Sequence, residues 1–207
     1  YDNFDYPETS WRSRRTSAPS LDPMASWYLG GKYTTQVEDR FDFAVFSPMQ
    51  PAPEPPYRIV MRSKIVHLGN EVSYGIAFGG NLGAFCDVTR YTASDPTGCF
   101  SHYYRLNVIW GGYLKYEVKR IDYHLGVTGG GQGAGVVLSE YRTLTYQAPD
   151  PDDWAVLEIA VYPSGFALYC NGYHLGWYPD STYVNDPYYG IFSSTYEYNN
   201  SQWEHDY

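Results

Sequence analysis

The stretch FALYCNGYHLGWY, Phe166–Tyr178, is two apolar runs joined at Asn171-Gly172. Asn-Gly favours the two-residue turn in which both central residues take positive φ, and that turn matches the twist of paired strands. The stretch therefore reads as a β-hairpin, with Phe166, Leu168 and Cys170, or their alternates, packed inward. Three settings suit so aromatic a hairpin: a packed sandwich core, the wall of a ligand groove, or a contact with another copy of the chain. Just upstream, WAVLEIAVY places Leu157, Ile159 and Val161 on one face, and Pro163-Ser164-Gly165 turns that strand into the hairpin.

The same period of two recurs along the chain. In YYRLNVIW, Tyr104, Leu106, Val108 and Trp110 point one way and Tyr103, Arg105, Asn107 and Ile109 the other. Gly111-Gly112 makes a tight turn, and YLKYEVKR returns with Leu114, Tyr116 and Val118 inward and Lys115, Glu117 and Lys119 outward. The expectation is an antiparallel sheet with one buried and one solvated face. Further strands are expected at Lys32–Val37, Phe41–Val45, Tyr57–Val66, Val72–Phe78, Ala134–Leu138, Tyr188–Ser193 and Gln202–Tyr207. No segment has a helical period with caps. The pattern predicts an all-β, two-sheet antiparallel sandwich. Three stretches do not read as strands: polar Trp11–Ser26, proline-rich Pro48–Pro56 and glycine-rich Gly126–Gly135.

Composition agrees. Aromatic residues are 19% of the 207, and Tyr alone contributes 24, as suits pleated, half-buried surfaces. The length fits a single domain over 1–207, with 1–26 a polar extension or a first strand able to pair with a neighbouring copy. A formal charge of −9 argues against a phosphate-binding surface for nucleic acid and against adsorption to anionic membranes. No apolar run approaches the roughly 20 residues of a membrane span. A chain that opens on Tyr1 reads as a mature form or a fragment. Cys86 and Cys99 flank the turn-rich DVTRYTASDPTG. A disulfide there would contribute about 3 kcal/mol and imply an oxidising compartment; the alternative is three reduced core thiols. Cys170 reads as a small buried hydrophobe.

Several motifs, taken in order, resemble a known family. They are YGIAFGG (Tyr74–Gly80), YYRLNV, an inter-strand Gly-Gly, LEIAVYPSGFALYCNGYHLGWY and YYGIF (Tyr188–Phe192). The series resembles the concanavalin A-like, laminin-G-like jelly rolls. The opening DNFDYPETSW and closing WEHDY look like the first and last strands of secreted bacterial members. The resemblance covers nearly the whole chain and implies a jelly-roll fold. It also implies a calcium at a loop rim, for which Asp150, Asp152 and Asp153 are the candidate oxygen ligands; a solvated acidic turn is the plainer reading, and no other cofactor is expected.

Related jelly rolls include glycosidases, whose chemistry needs two carboxylates flanking the sugar bond. The E-x-D-x(-x)-E strand motif is missing. Glu204 and Asp206 share the right spacing, but they read as outward charges on an edge strand. His67, His102, His124, His174 and His205 are scattered without metal-ligand spacing. No enzyme is expected on these grounds.

The first functional expectation is a non-catalytic extracellular structural or adhesive subunit that self-associates, even into filaments. Tyr103, Tyr123, Tyr141, Tyr146, Tyr162, Tyr178, Tyr183, Tyr196 and Tyr198 read as outward tyrosines suited to interfaces. Arg12, Arg14 and Arg15 complement Asp150, Asp152 and Asp153, and Tyr1, Phe4, Tyr6 and Trp11 suit strand addition to a neighbour. The alternative is a carbohydrate-binding module, with Trp110, Tyr113, Trp177 and Tyr178 stacking on sugar rings.

Overall fold

The computed structural model describes residues 24–29, 32–37, 43–47, 50–67, 72–82, 100–110, 114–122, 135–144, 153–195 and 201–206. The strands are β1 (Met24–Leu29), β2 (Lys32–Val37), β3 (Phe43–Phe46), β4 (Tyr57–His67), β5 (Val72–Leu82), β6 (Phe100–Trp110) and β7 (Leu114–Asp122). They continue with β8 (Gly135–Thr143), β9 (Ala155–Tyr162), β10 (Gly165–Cys170), β11 (Tyr173–Tyr178), β12 (Tyr188–Thr195) and β13 (Ser201–Asp206). They form a seven-stranded sheet ordered β1-β2-β13-β4-β9-β10-β11 and a six-stranded sheet ordered β3-β12-β5-β6-β7-β8. The architecture is an all-β jelly-roll sandwich. Among the described residues no helix is long and apolar enough to cross a membrane.

The core lies between the sheets, where alternate residues of each inner face interdigitate. Leu157, Ile159 and Val161 of β9 and Phe166, Leu168 and Cys170 of β10 are fully buried against Phe78, Tyr104, Leu106 and Val108. The hairpin therefore packs into the core on the predicted face. Its turn has Asn171 at φ 49° and Gly172 at φ 81°, the geometry that Asn-Gly favours. Asn171 is also tied to the neighbouring strand. Its backbone N–H donates to the Val156 carbonyl at 2.8 Å, and its Oδ1 accepts from the Val156 N–H at 2.8 Å.

A polar chain crosses the core. His205 of β13 is fully buried, and its ring nitrogens contact Ser63 Oγ at 2.7 Å and Thr35 Oγ1 at 2.8 Å. Thr35 Oγ1 in turn meets Ser193 Oγ of the opposite sheet at 2.8 Å. His205 is thus a satisfied core histidine. Burial holds its pKa at about 3, well below the usual imidazole value.

Three expectations need correction. Met24–Ser26 belongs to a strand, because β1 pairs along β2 from Met24↔Val37 to Leu29↔Lys32. The WEHDY strand is not an edge: β13 lies between β2 and β4 and is hydrogen-bonded on both sides. β6 is buried on both faces, not one. Tyr103, Arg105, Asn107 and Ile109 are as covered as Tyr104, Leu106 and Val108. Behind the six-stranded sheet, Val45, Ala77, Phe100, Tyr103, Ile121 and Phe192 form a second, smaller apolar cluster.

Candidate functional site

The outer face of the seven-stranded sheet carries an aromatic platform. Outward residues of β4, β9, β10 and β11 fall into two cross-strand rows. One runs Arg58, Ala160, Ala167, Trp177 and the next Val60, Glu158, Tyr169, His174. Trp177 is 45% exposed and Tyr162, at the end of β9, is 41% exposed. Their ring centroids are 5.7 Å apart at 54°, so the two rings form one bent surface. Ala160 and Ala167 are small enough to leave a low floor beside it, and both are covered.

The platform owes its shape to the turn between β9 and β10. Gly165 has φ +143°, and a Cβ there would meet the Tyr178 carbonyl oxygen at 2.2 Å and Trp177 Cζ2 at 3.2 Å. Only glycine lets the indole lie down against this turn. The second row supplies polar groups beside the rings. Glu158 is ion-paired with Arg58, and the Tyr169 ring lies 5.2 Å from His174. An aromatic face takes the apolar C–H side of a sugar ring, while neighbouring carboxylate, phenol and imidazole groups bond its hydroxyls. Further along this face, the Trp154 ring lies between Lys32, Arg62 and Lys64, at 5.2, 4.7 and 5.2 Å.

A second feature closes one end of the sandwich. Residues 179–187, between β11 and β12, are latched to the ends of β6 and β7. Asp180 accepts from the Tyr104 hydroxyl at 2.6 Å, from the Thr182 N–H at 3.0 Å and from the Thr182 hydroxyl at 2.7 Å, and pairs with Arg120. Burial alone would raise the Asp180 pKa, but these donors and the Arg120 charge outweigh it and lower it. Tyr183 stacks on His102 at 3.9 Å and donates to Asp122 at 2.7 Å. Burial and that carboxylate push its phenol up to about 12. His102 contacts Asp186 at 2.7 Å. An open groove of about 440 Å³ runs beside the loop, lined by Leu138, Tyr178, Pro179, Asp180, Ser181 and Thr182. The Asp180 carboxylate is engaged by Thr182 within the loop and by Tyr104 and Arg120 on the sheet, so its role here is to hold the loop.

The sequence-predicted stacking residues separate. Trp177 lies on the platform. Tyr178 is in the core, stacked on Phe166 at 5.3 Å. Trp110 is half-buried against the core, and Tyr113 lies outside the described residues. Tyr162, read only as an outward tyrosine, joins Trp177. Two other tyrosines read as outward are not: Tyr103 is buried and Tyr183 belongs to the loop latch. The side chains of Tyr123, Tyr141, Tyr146, Tyr196 and Tyr198 lie outside the described residues, as do Tyr1, Phe4, Tyr6, Trp11, Arg12, Arg14, Arg15, Asp150, Asp152, Cys86 and Cys99. Asp153 is exposed in a bend, and no group of metal-ligating side chains is assembled among the described residues. Cys170 is a buried thiol whose pKa burial pushes up to about 12.

No family model and no curated protein matches the chain. Solved structures do. The carbohydrate binding module CBM66 from Bacillus subtilis is 11% identical, with 96% of each chain covered and a TM-score of 0.57. The kappa-carrageenase from Pseudoalteromonas carrageenovora is 10% identical over 100% of this chain and 90% of that one, with a TM-score of 0.54. The catalytic domain of an endo-1,3-beta-glucanase from Thermotoga petrophila is 11% identical over 99% and 92%, with a TM-score of 0.52. The fold is thus the concanavalin A-like jelly roll, as the motif order implied. The comparisons overturn the expectation of a self-associating filament subunit, for the matching folds are a carbohydrate-binding module and glycoside hydrolases. The exclusion of an enzyme falls with it, since most of these structures are hydrolases. It rested on missing motifs and scattered histidines, and fold-mates at about a tenth identity need not share a motif.

Proposed function

We propose that the chain binds carbohydrate through the Trp177–Tyr162 platform. The observation that supports this reading most directly is a pair of adjoining, exposed aromatic rings, with Glu158, Tyr169 and His174 in the next row. Such rings are otherwise an exposed apolar surface, and exposed apolar patches mark binding sites. An open platform suits a polymer, which passes over it, better than a small sugar, which needs enclosure. A polysaccharide ligand would in turn place the protein outside the cell.

The test is retention of the protein on neutral polysaccharides, followed by titration of oligosaccharides from whichever polymer retains it. Trp177→Ala is expected to weaken binding at least tenfold, about 1.4 kcal/mol. Trp177→Phe should keep most of it. Because Trp177 is half in solvent, the alanine variant should retain its fold by circular dichroism. Unchanged affinity in a folded Trp177→Ala variant sinks the reading, and so does failure of the wild type to bind any such polymer.

A further inference from the structure

The groove beside residues 179–187 adjoins the platform. Trp177 and Tyr178 are consecutive on β11, the edge strand of the seven-stranded sheet. Alternation turns the indole to the outer face and the phenol towards the opposite sheet. Tyr178 lines the groove, and across from it stands Leu138 of β8, the edge strand of the six-stranded sheet. The groove thus opens where the two sheet edges face each other, and one strand separates it from the indole. Pro179 joins the two places. It lines the groove, and its Cα and Trp177 Cζ2 lie 3.0 and 3.2 Å from the position a Gly165 Cβ would take.

The chain itself closes one side of the groove. Residues 179–182 leave β11 and cross to the other sheet, where Tyr104 of β6 and Arg120 of β7 hold Asp180. That anchoring fixes the wall in advance, so little ordering is lost when a ligand enters. The volume of about 440 Å³ falls within the roughly 300–1,000 Å³ of small-molecule clefts. It suits a sugar unit, not a length of polymer. Leu138 and Pro179 offer apolar surface to the C–H side of a ring, and Ser181, exposed and outside the latch, offers a hydroxyl. Asp180 is the one charged residue of the lining, and its carboxylate is already engaged by Arg120, Tyr104 and Thr182. Apolar and hydroxyl groups are left to face the ligand, which suits a neutral sugar.

We propose that this groove is a subsite for a neutral side branch of the polysaccharide that lies on the platform. The inference rests on the platform reading and deepens it, since it makes the ligand a branched polymer. The backbone passes over Trp177 and Tyr162 and runs on in both directions. What enters a walled groove beside it is a unit that ends there. The branch crosses Pro179, rests its apolar side on Leu138 and Pro179, and bonds a hydroxyl to Ser181.

The probes are backbone-matched pairs of oligosaccharides: mannan and galactomannan fragments, xylan and arabinoxylan fragments, and linear β-glucan and β-glucan with single-glucose branches. Each is titrated calorimetrically against wild type, Ser181→Trp and Trp177→Ala. In at least one pair the branched member should bind wild type tenfold or more tightly than the linear one, a difference of about 1.4 kcal/mol. Ser181→Trp fills the mouth of the groove from an exposed position, so the fold should persist by circular dichroism. In that variant the branched member should fall to the level of the linear one, whose own affinity is unchanged. Trp177→Ala should weaken both members alike. The proposal is overturned if wild type binds both members of every pair equally, or if Ser181→Trp keeps the preference. It is also overturned if Ser181→Trp weakens the linear member as much, which would put the backbone itself in the groove. Loss of the preference with Trp177-dependent binding intact defeats this inference alone. Linear binding that ignores Trp177→Ala defeats the platform reading, and absence of binding in every pair defeats both.

Discussion

Truncating Phe166 to alanine lowers the stability of the folded chain by about 3–5 kcal/mol. The ring is fully buried at the centre of the sandwich. It stacks on Tyr178, packs edge-on against Phe78 at 4.9 Å and leans on Tyr104 at 4.9 Å. Phe78 and Tyr104 belong to the opposite sheet, so the loss is felt across the inter-sheet contact. Relaxation cannot fill the space cheaply, because β10 is pinned on both sides by β9 and β11. A domain stability of about 5–15 kcal/mol leaves little margin after such a loss. Urea titrations of wild type, Phe166→Ala and Phe166→Leu measure it, with the leucine variant falling between the other two. A drop under about 1 kcal/mol for alanine would contradict the packing described here.

Acidification should also destabilise the fold, through His205. Its folded pKa of about 3 lies below the ordinary 6.5. Between those values the unfolded chain carries a proton on this ring and the folded chain does not. Stability is therefore full above about pH 6.5 and declines as pH falls towards 3, by about 1.4 kcal/mol per pH unit. The hydroxyls of Ser63 and Thr35 satisfy the neutral ring in either tautomer. The penalty comes from placing a charge on a ring that is fully buried. Denaturant titrations at about pH 7.5 and pH 5 fall in this window, above most carboxylate titration, and should differ by about 2 kcal/mol. Equal stability at the two values would mean that His205 takes up its proton in the folded state. A folded His205→Gln variant should lose this difference.

Much of the fold was legible because one physical signal, alternation, dominates it. β2 has the predicted bounds, and the hairpin at Phe166–Tyr178 was specified twice, by its alternation and by Asn171-Gly172. β1 was missed because MASWYL mixes small, polar and aromatic residues, so its alternation is weak. The Gly30-Gly31 pair before KYTTQV was the available turn signal. The double burial of β6 was missed for a different reason. Alternation tells which residues share a face but not what covers it, so polar Arg105 and Asn107 read as solvent-facing. The site was half legible. Trp177 and Tyr178 are neighbours in sequence and both aromatic, yet adjacent strand residues point to opposite faces. Only the hairpin register shows that Phe166 takes Tyr178 inward and leaves Trp177 outside. Tyr162 joins Trp177 through a turn, a proximity that composition cannot show.

The interior place of β13 has a consequence for synthesis. Thr35 and His205, which touch in the finished core, are 170 residues apart in the chain. β2 and β4 emerge from the ribosome early, but each must wait for β13 to fill the slot between them. Until then both carry open hydrogen-bonding edges flanked by apolar faces, the surfaces by which nascent β chains stick to one another. The closing of the seven-stranded sheet is therefore a late, long-range event. Such closures are slow, and conditions that slow elongation or crowd the nascent chain should lower the yield of folded protein without any change in its final stability.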